Sequence, residues 1–209
     1  MKKIIAFIVL LSILIIGGSV IWYANINHAF RVVTDAKVYK SGLIPPNELE
    51  EYLLKNNIKT VVDLLDPGVQ DDLNPAKQQE IDAEQSKVDE INKKHNTNIQ
   101  HINIPSPQVP TKKTLKAFYE VIDNPDNYPL LIHCYHGMGR AELYSAVYRM
   151  EKENWDSKKA QMDTRPFEFL VDSPLHHSSF ASGRGKGDFI LNYKPRSYEE
   201  NATINTIKR

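Results

Sequence analysis

The 209-residue sequence predicts an α/β fold, a mainly parallel central sheet flanked by helices, preceded by one N-terminal transmembrane helix. Three observations lead there. Short apolar runs alternate with helix-patterned segments along most of the chain, as in strand–helix–strand units. Two of those runs, residues 99–104 and 130–133, are expected to be strands covered on both faces. Residues 4–24 are uncharged, apolar apart from Ser12, Ser19 and two glycines, and long enough to cross a hydrocarbon core of roughly 30 Å.

Taken in order, Met1-Lys2-Lys3 precedes the apolar span and favours a cytoplasmic N-terminus, which places everything after Ala24 on the periplasmic or extracellular side. Trp22 and Tyr23 suit the far headgroup interface. The alternative is a cleaved signal peptide with an h-region at 4–16 and small residues Gly17-Gly18-Ser19 at the cleavage site, after which the protein is secreted. The apolar residues that continue past that site favour a retained anchor. The division is thus 1–24 for the anchor or signal and 25–209 for a catalytic domain.

A strand is expected at 37–39, then a helix at 46–55 with Asn47 and Glu50 in capping-box spacing. A second strand runs 60–65. Residues 76–95 form a charged helix whose thin stripe of Ile81, Val88 and Ile91 lies on the sheet. After the strand at 99–104, Thr111 caps a helix with Leu115, Phe118, Tyr119 and Ile122 on one face. The strand at 130–133 leads into a helix at 141–153. Beyond Trp155 the chain reads as loop-rich. There Gly183-Arg184-Gly185-Lys186-Gly187 suggests either a solvated loop or a mobile basic flap over an anionic substrate, and the adjacent His176 and His177 point apart without further ligands, so no metal is expected.

Composition narrows the function. Lys and Arg number 26 and so do Asp and Glu, which gives no electrostatic case for nucleic acid or an anionic membrane surface. About 185 residues follow the span, enough for one substantial core. The lone cysteine, Cys134, cannot form an intramolecular disulfide, so its presence in an exported chain is better explained by chemistry.

That chemistry is written in His133-Cys134-Tyr135-His136-Gly137-Met138-Gly139-Arg140, placed between a strand and a helix. A cysteine followed by five residues and an arginine lets a short loop turn its backbone N–H groups around a tetrahedral oxyanion, with a helix N-terminus beneath. Cys134 suits a nucleophile, since the helix dipole and a nearby arginine both favour the thiolate. The planar fork of Arg140 suits two phosphate oxygens. Gly137 and Gly139 permit the loop conformation, and His133 orients the loop from behind.

The run HCYHGMGR resembles the signature loop of the protein tyrosine phosphatase superfamily, more its dual-specificity branch, and the opening FRVVTDAKVYKSGLIPPNELEEYL and the strand KTVVDLL are similar to bacterial members. The likeness runs from about Phe30 to about Tyr193. It implies the cysteine-phosphatase fold, a phosphocysteine intermediate on Cys134, phosphate binding by Arg140 and by residues 133 and 135–139, release by water, and no metal or organic cofactor. Two departures stand out. Ala141 replaces the Ser or Thr that follows the arginine in family members, and Ser106 occupies the place of the general-acid aspartate. Candidate replacement acids are Asp66, Asp71 and Asp72, which follow the strand at 60–65, with His136 as a further donor.

Tyr135, His136 and Met138 bring little charge to the loop, so a multiply phosphorylated headgroup is disfavoured and a flatter or more apolar phosphate is expected. Three readings follow. The first is a tyrosine or dual-specificity type phosphomonoesterase; the second, a phosphatase of envelope phospholipid or lipid pyrophosphate; the third, a silent phosphate-binding module. The expected partners are a phosphorylated protein or lipid and the membrane itself.

Overall fold

The computed structural model describes residues 2–22, 27–69, 75, 77–165, 171 and 178–197. Helix α1, Lys2–Ile21, contains one window, Lys2–Ser19, long and apolar enough to cross a membrane, and none of that window is buried within the molecule. Its two serines are satisfied internally: Ser12 Oγ donates to Ile8 O at 2.9 Å and Ser19 Oγ to Ile15 O at 2.8 Å, as a helix in an apolar medium requires.

Strands β1 (Arg31–Thr34) and β2 (Val38–Ser41) form an antiparallel hairpin. Then come α2 (Pro46–Lys55), β3 (Thr60–Asp63), α3 (Gln78–His95), β4 (Gln100–Asn103), α4 (Lys112–Asp123), a 3-10 turn at Pro125–Asn127, β5 (Leu130–His133), α5 (Arg140–Lys152), α6 (Ser157–Met162) and α7 (Gly185–Asn192). The sheet order is β1-β2-β5-β3-β4, parallel everywhere except the β1–β2 edge. Parallel register brings the carboxyl ends into one row, Ser41 beside His133, His133 beside Asp63, Asp63 beside Asn103. In such sheets ligand sites form beyond that edge.

Strand alternation divides the core. Tyr39, Val61 and Leu131 face Leu49 and Leu53 of α2 and Val88 and Ile91 of α3. Val38, Val62, Leu130 and Ile132 face the opposite way, onto Phe118 and Ile122 of α4 and Leu143, Tyr144, Val147 and Tyr148 of α5. Helix α5 is sequestered along most of its length, Arg140 to Met150 being buried.

Several expectations change. β3 stops at Asp63 rather than 65 because the Asp63 carboxylate accepts the Leu65 N–H at 2.7 Å and turns the chain. β4 is an edge strand with Gln100 exposed, so it is not covered on both faces. No capping box opens α2: Pro46 sits at its first turn without a side-chain cap, and Glu50 reaches across to α3 instead. Thr111 does cap α4, accepting from Thr114 N at 3.2 Å. The basic run at 183–187 is neither flap nor free loop. It enters α7, which is drawn onto the core by the buried Ile190, while Gly183 N donates to Asp188 Oδ1 at 2.7 Å. His176 and His177 lie outside the described residues.

Candidate active site

The signature loop leaves the end of β5 and enters α5 at Arg140, seated against the end of β2. Gly137 has φ +70°, and a Cβ there would lie 2.4 Å from Gly42 N and 2.6 Å from Ser41 C, so conformation and space both exclude a side chain. Two further contacts hold the loop in that seat. Leu43 N donates to Tyr135 O at 3.0 Å, and the fully buried Lys40 Nζ donates to Gly137 O at 2.9 Å. Lys40 also pairs with Glu142 Oε1 at 2.6 Å, and Glu142 Oε2 accepts from Arg31 Nη2 at 2.8 Å. The buried cation is therefore compensated by a carboxylate in the first turn of α5.

Cys134 is 3 % exposed, at the base of the loop. Arg140 is equally buried and its Nη1 donates to Leu64 O at 2.5 Å and Ser106 O at 3.0 Å, so the loops after β3 and β4 fix the guanidinium. Tyr135 is half-buried, Gly139 is partly exposed, and His136 and Met138 face outward. Arg165 Nη1 reaches Met138 O at 3.3 Å. On the other side Lys186 Nζ donates to Gln108 Oε1 at 2.7 Å and would lie 3.0 Å from a Cβ on Gly139. A cavity of about 470 Å³ lies on the Tyr135 side, lined by Leu43, Ile44, Pro45, Pro46, Ala83 and Tyr135 among others.

His133, expected behind the loop, stands in a buried cluster with Asp63, Glu84 and His101. Burial opposes charge on His133, but the Glu84 and Asp63 carboxylates outweigh it and hold the imidazole above its ordinary pKa. Burial raises the Asp63 carboxyl. Glu84 goes the other way: its burial is overcome by the two histidines, which lower it.

Of the candidate acids, Asp66 is half-buried and accepts the Gly68 N–H at 3.0 Å within its own turn, while Asp71 and Asp72 lie outside the described residues. Ser106 is fully buried, 2.8 Å from Tyr144 OH, and its carbonyl serves Arg140. Burial keeps the Tyr144 phenol above its ordinary pKa. Ala141 offers no hydroxyl, and the next aliphatic one along the helix, Ser145 Oγ, is spent on Ala141 O at 2.7 Å.

Sequence reasoning missed Lys40, Glu142, Glu84, His101 and Arg165 as neighbours of the site, whereas Lys186 belongs to the basic run that it places near an anionic substrate. A lone charge in the short strand VYKS was the one available signal, for Lys40. The others reach the site only through long-range packing.

The fold is shared with known phosphatases. The core catalytic domain of the PP-IP phosphatase Siw14 from S. cerevisiae superposes with a TM-score of 0.55 at 20% identity, covering 85% of this chain and 92% of that one. P. aeruginosa TpbA gives 0.50 at 18% identity, covering 77% and 82%. No curated protein matches the sequence. A family model described as "DSP-PTPase phosphatase fused to NAD+ Kinase" matches residues 23–181, which take in every strand and the whole signature loop. The chain is a phosphatase of the protein tyrosine phosphatase superfamily and belongs to this dual-specificity-like family.

Proposed function

We propose that the protein hydrolyses phosphate monoesters of the tyrosine or dual-specificity kind through a phosphocysteine on Cys134. The observation that carries this reading is the anchored Arg140: its Nη1 is tied to two backbone carbonyls, which holds the guanidinium at the far end of a loop whose first residue is the buried thiol. Preorganised donors of this kind need no rearrangement as charge develops on the phosphoryl oxygens. In the first step Cys134 Sγ attacks phosphorus and the P–O bond breaks, its electron pair going to the leaving oxygen. In the second, water attacks phosphorus, loses a proton, and the P–S bond breaks to return the thiolate. Gly137 and Gly139 supply the loop geometry, His133 its orientation, and Tyr135, His136 and Met138 face the substrate. Helix α1 serves as a membrane anchor, with residues 25–209 forming the catalytic domain on the periplasmic or extracellular side.

A second reading is favoured by Ser106. Sealed against Tyr144, it provides no acid, and loss of general-acid help costs a typical factor of roughly 10² to 10⁴ with poor leaving groups. A lipid pyrophosphate avoids that cost, because its leaving group is itself a phosphate. The cavity beside Tyr135 offers an apolar wall for an aromatic ring or a lipid chain.

The test uses the full chain in detergent micelles with p-nitrophenyl phosphate, phenyl phosphate and a prenyl diphosphate. Cysteine-dependent turnover, falling roughly 10³-fold or more in Cys134→Ser while vanadate binding persists, is the expected result. A steep preference for p-nitrophenyl over phenyl phosphate identifies the missing acid, and preference for the diphosphate selects the second reading. Equal turnover by wild type and Cys134→Ser refutes the proposed mechanism.

A further inference from the structure

We propose that Asp63, Glu84, His101 and His133 form a site for one divalent transition-metal ion of the zinc class, tying three strands and a helix together beneath the signature loop. The four side chains come from β3, α3, β4 and β5, and each is 2 % exposed or less. His101 Nε2 and His133 Nε2 each lie 2.9 Å from Glu84 Oε2. They lie 3.7 and 3.6 Å from the two Asp63 carboxylate oxygens. A tetrahedral ion with bonds of about 2.0–2.1 Å spaces its ligand atoms about 3.3–3.4 Å apart, within the range of these edges. All four residues place a donor atom within 4.8 Å of every other.

Hydrogen bonding around the cluster points the same way. His101 Nδ1 lies 3.1 Å from Gln85 Oε1, an amide oxygen that only accepts, so Nδ1 donates there and Nε2 is the atom left to face Glu84 Oε2 at 2.9 Å. A lone pair 2.9 Å from a carboxylate oxygen is repelled unless a cation or an extra proton lies between them. His133 supplies a second, independent sign. It is 1 % exposed, neither ring nitrogen makes a hydrogen bond, and yet its Nε2 is aimed into the cluster, off the hydrogen-bond line to Glu84. Asp63 is oriented from outside by Leu65 N at 2.7 Å and Asn103 Nδ2 at 2.9 Å, the outer support that metal ligands commonly have.

Charge and ligand type agree. With the ion in place of protons on the two imidazoles, the two carboxylates balance a dication among buried side chains, and a nitrogen–oxygen set of four suits zinc over the oxygen-seeking calcium and magnesium. Cys134 follows His133 directly but contributes no ligand atom, so the ion braces the start of the loop and leaves the thiol alone. The sequence expectation of no metal rested on the adjacent His176 and His177 and on the phosphatase resemblance, which implies none for catalysis. The ligands identified here are far apart in the chain.

The test needs only the full chain in detergent micelles and the metal alone. After dialysis against metal-free buffer, the wild type retains about one equivalent of zinc, and the chelator-stripped protein reloaded with Co²⁺ shows the intense visible d–d bands of a four-coordinate site without a near-ultraviolet thiolate charge-transfer band. Cys134→Ser keeps both signatures. Glu84→Gln and His101→Gln lose metal affinity by roughly tenfold or more. Folded wild type that holds no metal and develops no visible bands with excess Co²⁺ overturns the proposal and leaves the cluster held by protons. A thiolate band that disappears in Cys134→Ser overturns it too, by placing the ion on the nucleophile.

Discussion

At the residue scale the signature loop depends on positions where only one side chain, or none, fits. Gly137 combines a left-handed φ with a Cβ direction that runs into the backbone of Ser41 and Gly42. Gly137→Ala is expected to cost at least about 1–2 kcal/mol from conformation alone and to abolish turnover by pushing the loop off β2. Denaturant unfolding and vanadate binding check this, and an Ala variant with unchanged midpoint and affinity would show that the loop tolerates a shift. Ser106 makes the complementary case. Restoring a carboxylate there with Ser106→Asp places a charge in a fully buried site against Tyr144, so the expected outcome is lower stability and no gain on phenyl phosphate. A phenyl phosphate rate that rises by the roughly 10²-fold worth of a general acid would mean that the loop at 104–110 can open toward the leaving group.

At the element scale, helices α2 and α3 are linked by Glu50, which accepts from Lys94 Nζ and faces His95 Nε2, both at 2.8 Å. Its hydrogen bonds to Lys94 and then His95 lower its pKa to about 2 from an ordinary 4.5. A carboxylate depressed in the folded state contributes stability that is fully present above the unfolded value and fades as pH falls from about 4.5 toward about 2. Glu50→Gln is therefore expected to melt slightly below the wild type at neutral pH, slightly because the pair is solvent-accessible, and to converge with it as pH falls through that acid window, which flattens its melting-temperature profile. Thermal melts between pH 2 and 7 decide it, and parallel profiles for the two proteins would rule the link out. Helix α4 contributes by packing instead: Phe118 is fully buried, edge-on to Tyr144 with ring centroids 4.9 Å apart. Phe118→Ala should cost about 3–5 kcal/mol in denaturant unfolding.

At the scale of the whole molecule, α1 and the sheet domain pose separate questions. An anchored protein is expected to sediment with membranes, resist alkaline carbonate extraction, and keep its full mass; recovery of a soluble chain shortened near residue 19 would identify a cleaved signal instead. The alternation of strands and helices, the apolar span and the loop at 133–140 were all legible in the sequence, because each is a local pattern of period, length or spacing. Edge strand β1, the helical start at 185 and the early end of β3 were not, since hairpin pairing, the burial of Ile190 and the Asp63 turn decide them.

The sequence by itself determined the chemistry-bearing segment, because a phosphate cradle is contiguous and its residue types are dictated by the anion it surrounds. Only the tertiary structure decided that Ser106 is a buried strut for Arg140, that Lys40 and Glu142 brace the loop, and that Asp63, Glu84, His101 and His133 meet. The physical reason is one of range. Parallel strands place residues 41, 133, 63 and 103 side by side although the chain separates them widely, and low-dielectric burial then sets what their charges can do.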